Sequence, residues 1–196
     1  MIIPIFAIFI PVSFVVNQPD LGTALLITIT GLFIIWLAGI SMKYFIFSSI
    51  LAACLMPVVI AFLKPYQKMR ILTFLDPERD PLGAGYQIIQ SKIAVGSGGL
   101  TGKGYLQGSQ SYLDYLPEKH TDFIFTLFSE EFGFIGSLLL LTIYALIIYR
   151  ITKIGAQSRS NFSKLFCYGF ASAFFIFVAV NMMMVLGLLP IVGSPL

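Results

Sequence analysis

Charge is what this sequence has least of. Asp, Glu, Lys and Arg make up 11% of the chain, where an ordinary soluble domain carries about 25%. Histidine is rarer still. The single residue, His120, excludes a multi-histidine metal centre. Two cysteines, Cys54 and Cys167, stand alone inside apolar runs. Without Cys-x-x-Cys or Cys/His spacing they support neither a zinc site nor a disulfide framework. The net charge of +3 is too small to point to nucleic acid, and no such partner is expected.

What fills the chain instead is apolar. Hydrophobic residues account for 58% and the mean hydropathy is +0.92, which places the sequence in the membrane class. A helix crosses the hydrocarbon core with roughly 20 mostly apolar residues. Uncharged runs at 1–16, 23–42, 44–63, 132–149 and 165–192 therefore predict about five transmembrane helices. The expected fold is an all-α polytopic membrane protein, a single membrane domain over 1–196. The first run lacks a basic flank, so a cleaved signal peptide is not the favoured reading.

Orientation follows from Lys and Arg in the short loops. Arg150, Lys153, Arg159 and Lys164 gather between the last two runs with no acid among them, so that loop is expected to be cytoplasmic. Residues 64–131 and the 17–22 turn then fall on the outside, and the 41–43 turn inside. Long connections are usually functional or disordered. Aromatic, apolar and glycine residues mark the 64–131 loop as one that folds against the membrane face. Within it, GYQIIQSKIAVG (85–96) mixes Ile88, Ile89, Ile93 and Val95 with Gln87, Gln90, Ser91 and Lys92. That pattern predicts a short amphipathic or re-entrant helix.

GSGGLTGKG (96–104) tempts a phosphate-loop assignment, but the register fails. A Walker motif ending in Gly102-Lys103 needs glycine where Ser97 stands, and Ser or Thr where Gly104 stands. A flexible surface turn is the plainer reading. Exposed backbone N–H groups with Lys103 remain able to hold a phosphate without a nucleotide. In LPEKHTDFIF (116–125), Glu118, Lys119, His120 and Asp122 crowd together after Pro117. Thr121 or Asp122 is a candidate N-cap for a helix beginning near Phe123 and running toward Gly133. A carboxylate at a helix N-terminus stays ionised and can serve as a general base. The residues themselves leave both roles open for Asp122. Glu130 and Glu131 read as a solvated or pore-facing helix end. In NQPDLGTA (17–24), Asp20 reads first as the cap of the following span.

QPDLGTALL (18–26), DPLGAGYQIIQSKIAVGSGGLTGKGYLQGSQS (80–111) and LPEKHTDFIFTLFSEEFGFIG (116–136) are long, specific strings. Through them the chain resembles the SEDS family (shape, elongation, division and sporulation), its RodA branch more than its FtsW branch. The resemblance runs through the whole chain. It implies a peptidoglycan glycosyltransferase in a bacterial cytoplasmic (inner) membrane, with its active site on the extracytoplasmic face. The implied function is polymerisation of lipid II into glycan strands during cell elongation and rod-shape maintenance. Undecaprenyl-pyrophosphate-linked glycan, membrane lipid and a class B penicillin-binding protein that supplies the transpeptidase are the implied partners.

The resemblance makes Asp122 the catalytic residue. Glu118, Lys119, His120, Lys103, Gln90, Lys92 and Asp20 are the candidate substrate-binding residues. No metal-ligating set is assigned, and Mg or Mn is the candidate divalent cation beside the pyrophosphate. Complete members carry further spans before this segment and a serine- and glycine-rich motif after it, so a C-terminal-half fragment is expected. A flippase for the lipid-linked precursor, or an inactive fragment or subunit of a split enzyme, are the rival readings. Ionisable residues inside spans would favour transport.

Overall fold

The structure is a computed structural model that describes residues 2–18, 20–62, 65–80, 83–108 and 122–191. Every regular element among them is helical. In chain order these are α1 (Ile2–Asn17), α2 (Leu21–Leu37), α3 (Met42–Phe62), α4 (Pro65–Leu75), a 3₁₀ turn (Pro77–Arg79) and α5 (Ala84–Ser97). Two long helices follow, α6 (Ile124–Gln157) and α7 (Asn161–Val185). Both are long and apolar enough to cross a membrane, whereas α1, α2 and α3 contain shorter apolar stretches. Large apolar side chains cover the exterior: Phe9, Phe47, Phe134 and Phe166 are all exposed. Water-soluble monomers rarely expose such contiguous apolar surface, and hydrocarbon imposes no penalty on it.

The packing is a row of antiparallel neighbours. α1 and α2 form one hairpin, α6 and α7 another, and α2 lies against α7. Small residues let the backbones approach, which is how helices associate where the surroundings are as apolar as their side chains. A Cβ on Gly169 of α7 would sit 3.0 Å from the side chain of Ile34 on α2. Tyr144 of α6 meets Phe174 of α7 edge to face, with centroids 5.5 Å apart. α3 lies largely outside this packing.

These pairings sort the polar residues by end. Ile34 is level with Gly169, while Ile29 shares an apolar groove with Phe175 and Ile176, so α2 runs antiparallel to α7. The start of α2, the start of α6 and the end of α7 therefore lie at one end of the bundle. Arg150 and Lys153, late in α6, and Arg159 and Lys164, around the start of α7, lie at the other.

Local chemistry fixes the helix limits at the first end. Asp20 caps α2, accepting from the Thr23 backbone N–H at 3.1 Å and from its hydroxyl at 2.6 Å. α7 stops in a Schellman motif. Leu188 N–H donates to Met183 O at 2.7 Å and Gly187 N–H to Met184 O at 3.0 Å, with Gly187 at φ +67°. α7 thus ends well before the expected limit of the last span, leaving Pro190 beyond the helix.

α6 is broken, and the break is filled. Gly133 has φ 66° and ψ −162°, outside helical space. An unbroken helix would pair the N–H groups of Phe134 and Ile135 with the carbonyls of Glu130 and Glu131. Here the glycine-rich segment after α5 passes between those partners. Phe134 N–H donates to Gly99 O at 2.9 Å and Ile135 N–H to Leu100 O at 3.0 Å. In return Lys103 N–H donates to Glu130 O and Gly104 N–H to Glu131 O, both at 3.0 Å. Each opened helical bond becomes two, so the break leaves none of these four groups unsatisfied.

Candidate active site

At the polar end, α5, the start of α6 and the end of α7 meet. α5 buries Ile88, Ser91 and Ala94, spaced by three along one face, and leaves Lys92 and Ile93 exposed. Phe123 and Phe125 bury beside Val185, with Val95 and Met182 packed around them. A polar seam runs through this apolar contact. The Ser91 and Thr126 hydroxyls lie 2.8 Å apart, and Ser91 also donates to the Val185 carbonyl at 2.9 Å. One turn earlier on α7, the buried Asn181 amide donates to the backbone carbonyl of Asp122 at 2.9 Å. Asp122 itself is partly exposed, at the mouth of this junction.

A second polar pair lies along α6. Glu130 is fully buried, and its Oε1 accepts from Lys103 Nζ at 2.7 Å. Ser137 donates to the Gly133 carbonyl at 2.8 Å and lies 3.0 Å from the Ser129 hydroxyl. Residues 126 and 130 are four apart, so their side chains belong to one side of the helix.

Several expectations need correcting. The N-cap of α6 is Phe123, not Thr121 or Asp122, and no side-chain hydrogen bond caps the helix. Burying Phe123 is worth about 1.5–3 kcal/mol, more than the roughly 1 kcal/mol of a typical cap, so core packing sets where the helix begins. Glu130 is not a solvated helix end but a buried, ion-paired carboxylate. The segment 96–104 is neither a loose turn nor an anion nest, because the N–H groups of Lys103 and Gly104 are committed to α6.

The other candidates divide. Lys103 is tied to Glu130. Lys92 lies across the end of α7, where a Cβ on Gly187 would meet its Cε and lie 2.7 Å from its Nζ. A lysine there complements the negative end of the helix dipole. Gln90 is half-buried beside Ser91, and its Oε1 has no hydrogen-bond partner among the described residues. Asp20 lies at the same end of the bundle as Asp122, with both carboxylate oxygens engaged in its cap. Glu118, Lys119 and His120 lie outside the described residues. Ser91 and Thr126 were given no role by the sequence, and Glu130 was read only as a helix end. For Asn181 a signal was available, since a lone amide in an uncharged span is costly unless it has a partner and a use.

An apolar exterior, antiparallel long helices and a buried polar seam at one end define an all-helical, polytopic membrane protein. The chain belongs to the FtsW/RodA/SpoVE family: the family model described as "Cell cycle protein" matches residues 1–196. It is 48% identical over 195 residues to the peptidoglycan glycosyltransferase MrdB of Escherichia coli K12, covering 99% of this chain and 53% of that protein. It is 39% identical over 196 residues to the probable peptidoglycan glycosyltransferase FtsW of Wigglesworthia glossinidia brevipalpis, covering 98% and 51%. A solved structure described as "Structural coordination of polymerization and crosslinking by a peptidoglycan synthase complex" superposes with a TM-score of 0.78 at 34% identity. That match covers 98% of this chain and 53% of the other. The chain thus spans about half the length of the relatives it matches.

Proposed function

We propose that this segment carries the general base of a peptidoglycan glycosyltransferase that polymerises lipid II. The observation that carries the reading is the setting of Asp122. It stands at the bundle end opposite Arg150, Lys153, Arg159 and Lys164, its backbone held by Asn181, and is partly exposed. The relatives named peptidoglycan glycosyltransferases support the chemistry.

In this reading the Asp122 carboxylate takes the proton of the GlcNAc 4-hydroxyl of the acceptor lipid II. The oxygen attacks the anomeric carbon of the donor glycan from the face opposite the leaving group. The C–O bond to undecaprenyl pyrophosphate breaks with inversion, and the pyrophosphate leaves with the bonding electron pair. Lys92, exposed at the same corner, is positioned to meet a phosphate oxygen; Lys119 and His120 are further candidates. The described residues contain no cluster of three His, Cys, Asp or Glu side chains. They do not by themselves form a site for Mg or Mn, and no step is routed through a cation.

In this reading Arg150, Lys153, Arg159 and Lys164 mark the cytoplasmic end, as the positive-inside rule favours, and Asp122 faces the extracytoplasmic side of the bacterial inner membrane. A class B penicillin-binding protein is the transpeptidase partner, a reading supported by the similarity to a complex that couples polymerization and crosslinking.

The test grafts these residues into the Escherichia coli relative in place of its matching half and measures glycan strands made from purified lipid II. Asp122→Asn in this full-length graft should slow polymerisation by about 10²–10⁴-fold, the usual contribution of a general base. Membrane insertion should be unchanged. Polymerisation at the unsubstituted rate would refute the assignment.

A further inference from the structure

We propose that Asn181 is a positioning residue for Asp122, an inference that rests on the reading of Asp122 as the base. Asn181 lies among apolar neighbours near the end of α7, in the run VAVNMMMV, and is fully buried. An amide there is expensive unless hydrogen-bonded. Its Nδ2 donates to the carbonyl of Asp122, 59 residues away in sequence, at 2.9 Å.

That carbonyl lies just outside the helix ladder. The Thr126 and Leu127 N–H groups, in the first turn of α6, both donate to Phe123 O instead. Asn181 therefore donates to the peptide that links Asp122 to the helix. With ψ of Asp122, the orientation of that peptide plane sets the direction of the Asp122 Cα–Cβ bond. Val185 lies four residues beyond Asn181 on the same face of α7, and it packs in the cluster that buries Phe123. One face of α7 thus makes two contacts a turn apart: Asn181 holds the Asp122 carbonyl, and Val185 packs in the Phe123 cluster. Side-chain identity at position 181 bears on where the carboxylate points, while the apolar contact of Val185 keeps α7 packed against the start of α6 when the amide is removed.

The two roles separate experimentally. Asn181→Leu is close in size and removes a buried amide, so folding should survive. In the full-length graft we expect kcat for lipid II polymerisation to fall about 10- to 100-fold, the scale of a misplaced reacting group, with KM nearly unchanged. Thermal stability in detergent should change little, because the Phe123–Val185 packing remains. Asn181→Gln keeps the NH₂ donor and should recover part of kcat. Asn181→Leu with unaltered kcat would overturn the proposal. So would a loss of activity that tracks a loss of folded protein. Asp122→Asn is assayed in parallel: if it polymerises normally, the general-base reading fails. If it is inactive while Asn181→Leu is fully active, only the positioning role fails.

Discussion

Replacing Gly102 by alanine is the most direct challenge to the way α6 is built. Gly102 has φ +80°, a conformation that costs an L-residue roughly 1–2 kcal/mol. The new Cβ would also fall on the Glu131 carbonyl and lie 2.7 Å from the carbonyl carbon of Phe132. These atoms are backbone, so they cannot swing aside as a flexible side chain does. The segment must lift away from α6, straining the bonds from Lys103 N–H to Glu130 O and from Gly104 N–H to Glu131 O. Losing two hydrogen bonds at about 0.5–1.5 kcal/mol each, added to the backbone strain, gives a destabilisation of about 2–5 kcal/mol.

Unfolding of the full-length graft in detergent, followed against added SDS, measures the total. Amide exchange at Lys103, Gly104, Phe134 and Ile135 locates it. All four amides should exchange faster in Gly102→Ala, while those in the middle of α7 stay slow. Gly96→Ala is the internal control. It lies in α5 with nothing within 4 Å of its added Cβ, and should be neutral or stabilising by about 0.5–1 kcal/mol. A Gly102→Ala protein as stable as Gly96→Ala, with four protected amides, would refute the account of the filled break.

Two further outcomes follow from the polar contacts. Lys103→Met should leave the Glu130 carboxylate buried without its ammonium and cost about 3 kcal/mol, the low end for a buried pair, because Lys103 keeps 28% exposure. The double variant Lys103→Met/Glu130→Gln should recover most of that in the same SDS titration, and an additive double variant would contradict the coupling. Asp20→Ala should cost about 1 kcal/mol and speed exchange of the Thr23 amide, without altering α6.

The helical class was legible because the bilayer dictates it: apolar runs satisfy their backbone groups as helices. The gathering of Arg150, Lys153, Arg159 and Lys164 at one end was legible from their place between the last two runs. The Asp20 cap was legible because it is local, with the acceptor three residues from the donor. The filled break was not. Its glycines were conspicuous, but the partners of 99–104 lie some thirty residues further on, and N–H groups aimed at a phosphate or at a carbonyl call for the same glycine-rich sequence. The sequence set a helix limit near Gly133, but nothing local showed that a distant segment would take up the bonds opened there. The cap of α6 was misplaced for a different reason. Capping preference pointed to Thr121 or Asp122, but burial of Phe123 outweighs it. Asn181 could be noticed as a lone amide; that it reaches Asp122 is a property of the α6–α7 pairing, which no local pattern encodes.

The break in α6 has a consequence for the proposed chemistry. Residues 124–132 form a short helical block distinct from the long membrane section that follows. Both ends of the block are tied down by other elements. At its start, Asn181 and the core around Phe123 fix it to α7. At its end, the 99–104 segment and the Lys103–Glu130 pair fix it to α5. Between them the Ser91–Thr126 contact joins α5 to its middle. A continuous helix would transmit any tilt of its membrane section to its first residue through an unbroken ladder. Here the hydrogen bonds that would carry that tilt across Gly133 run to another segment instead. The same segment is bonded to both sides of Gly133, so it ties the block to the long section across the break, and the proposed base Asp122 stands beside a block held by α5 and α7 as well as by the helix that follows it.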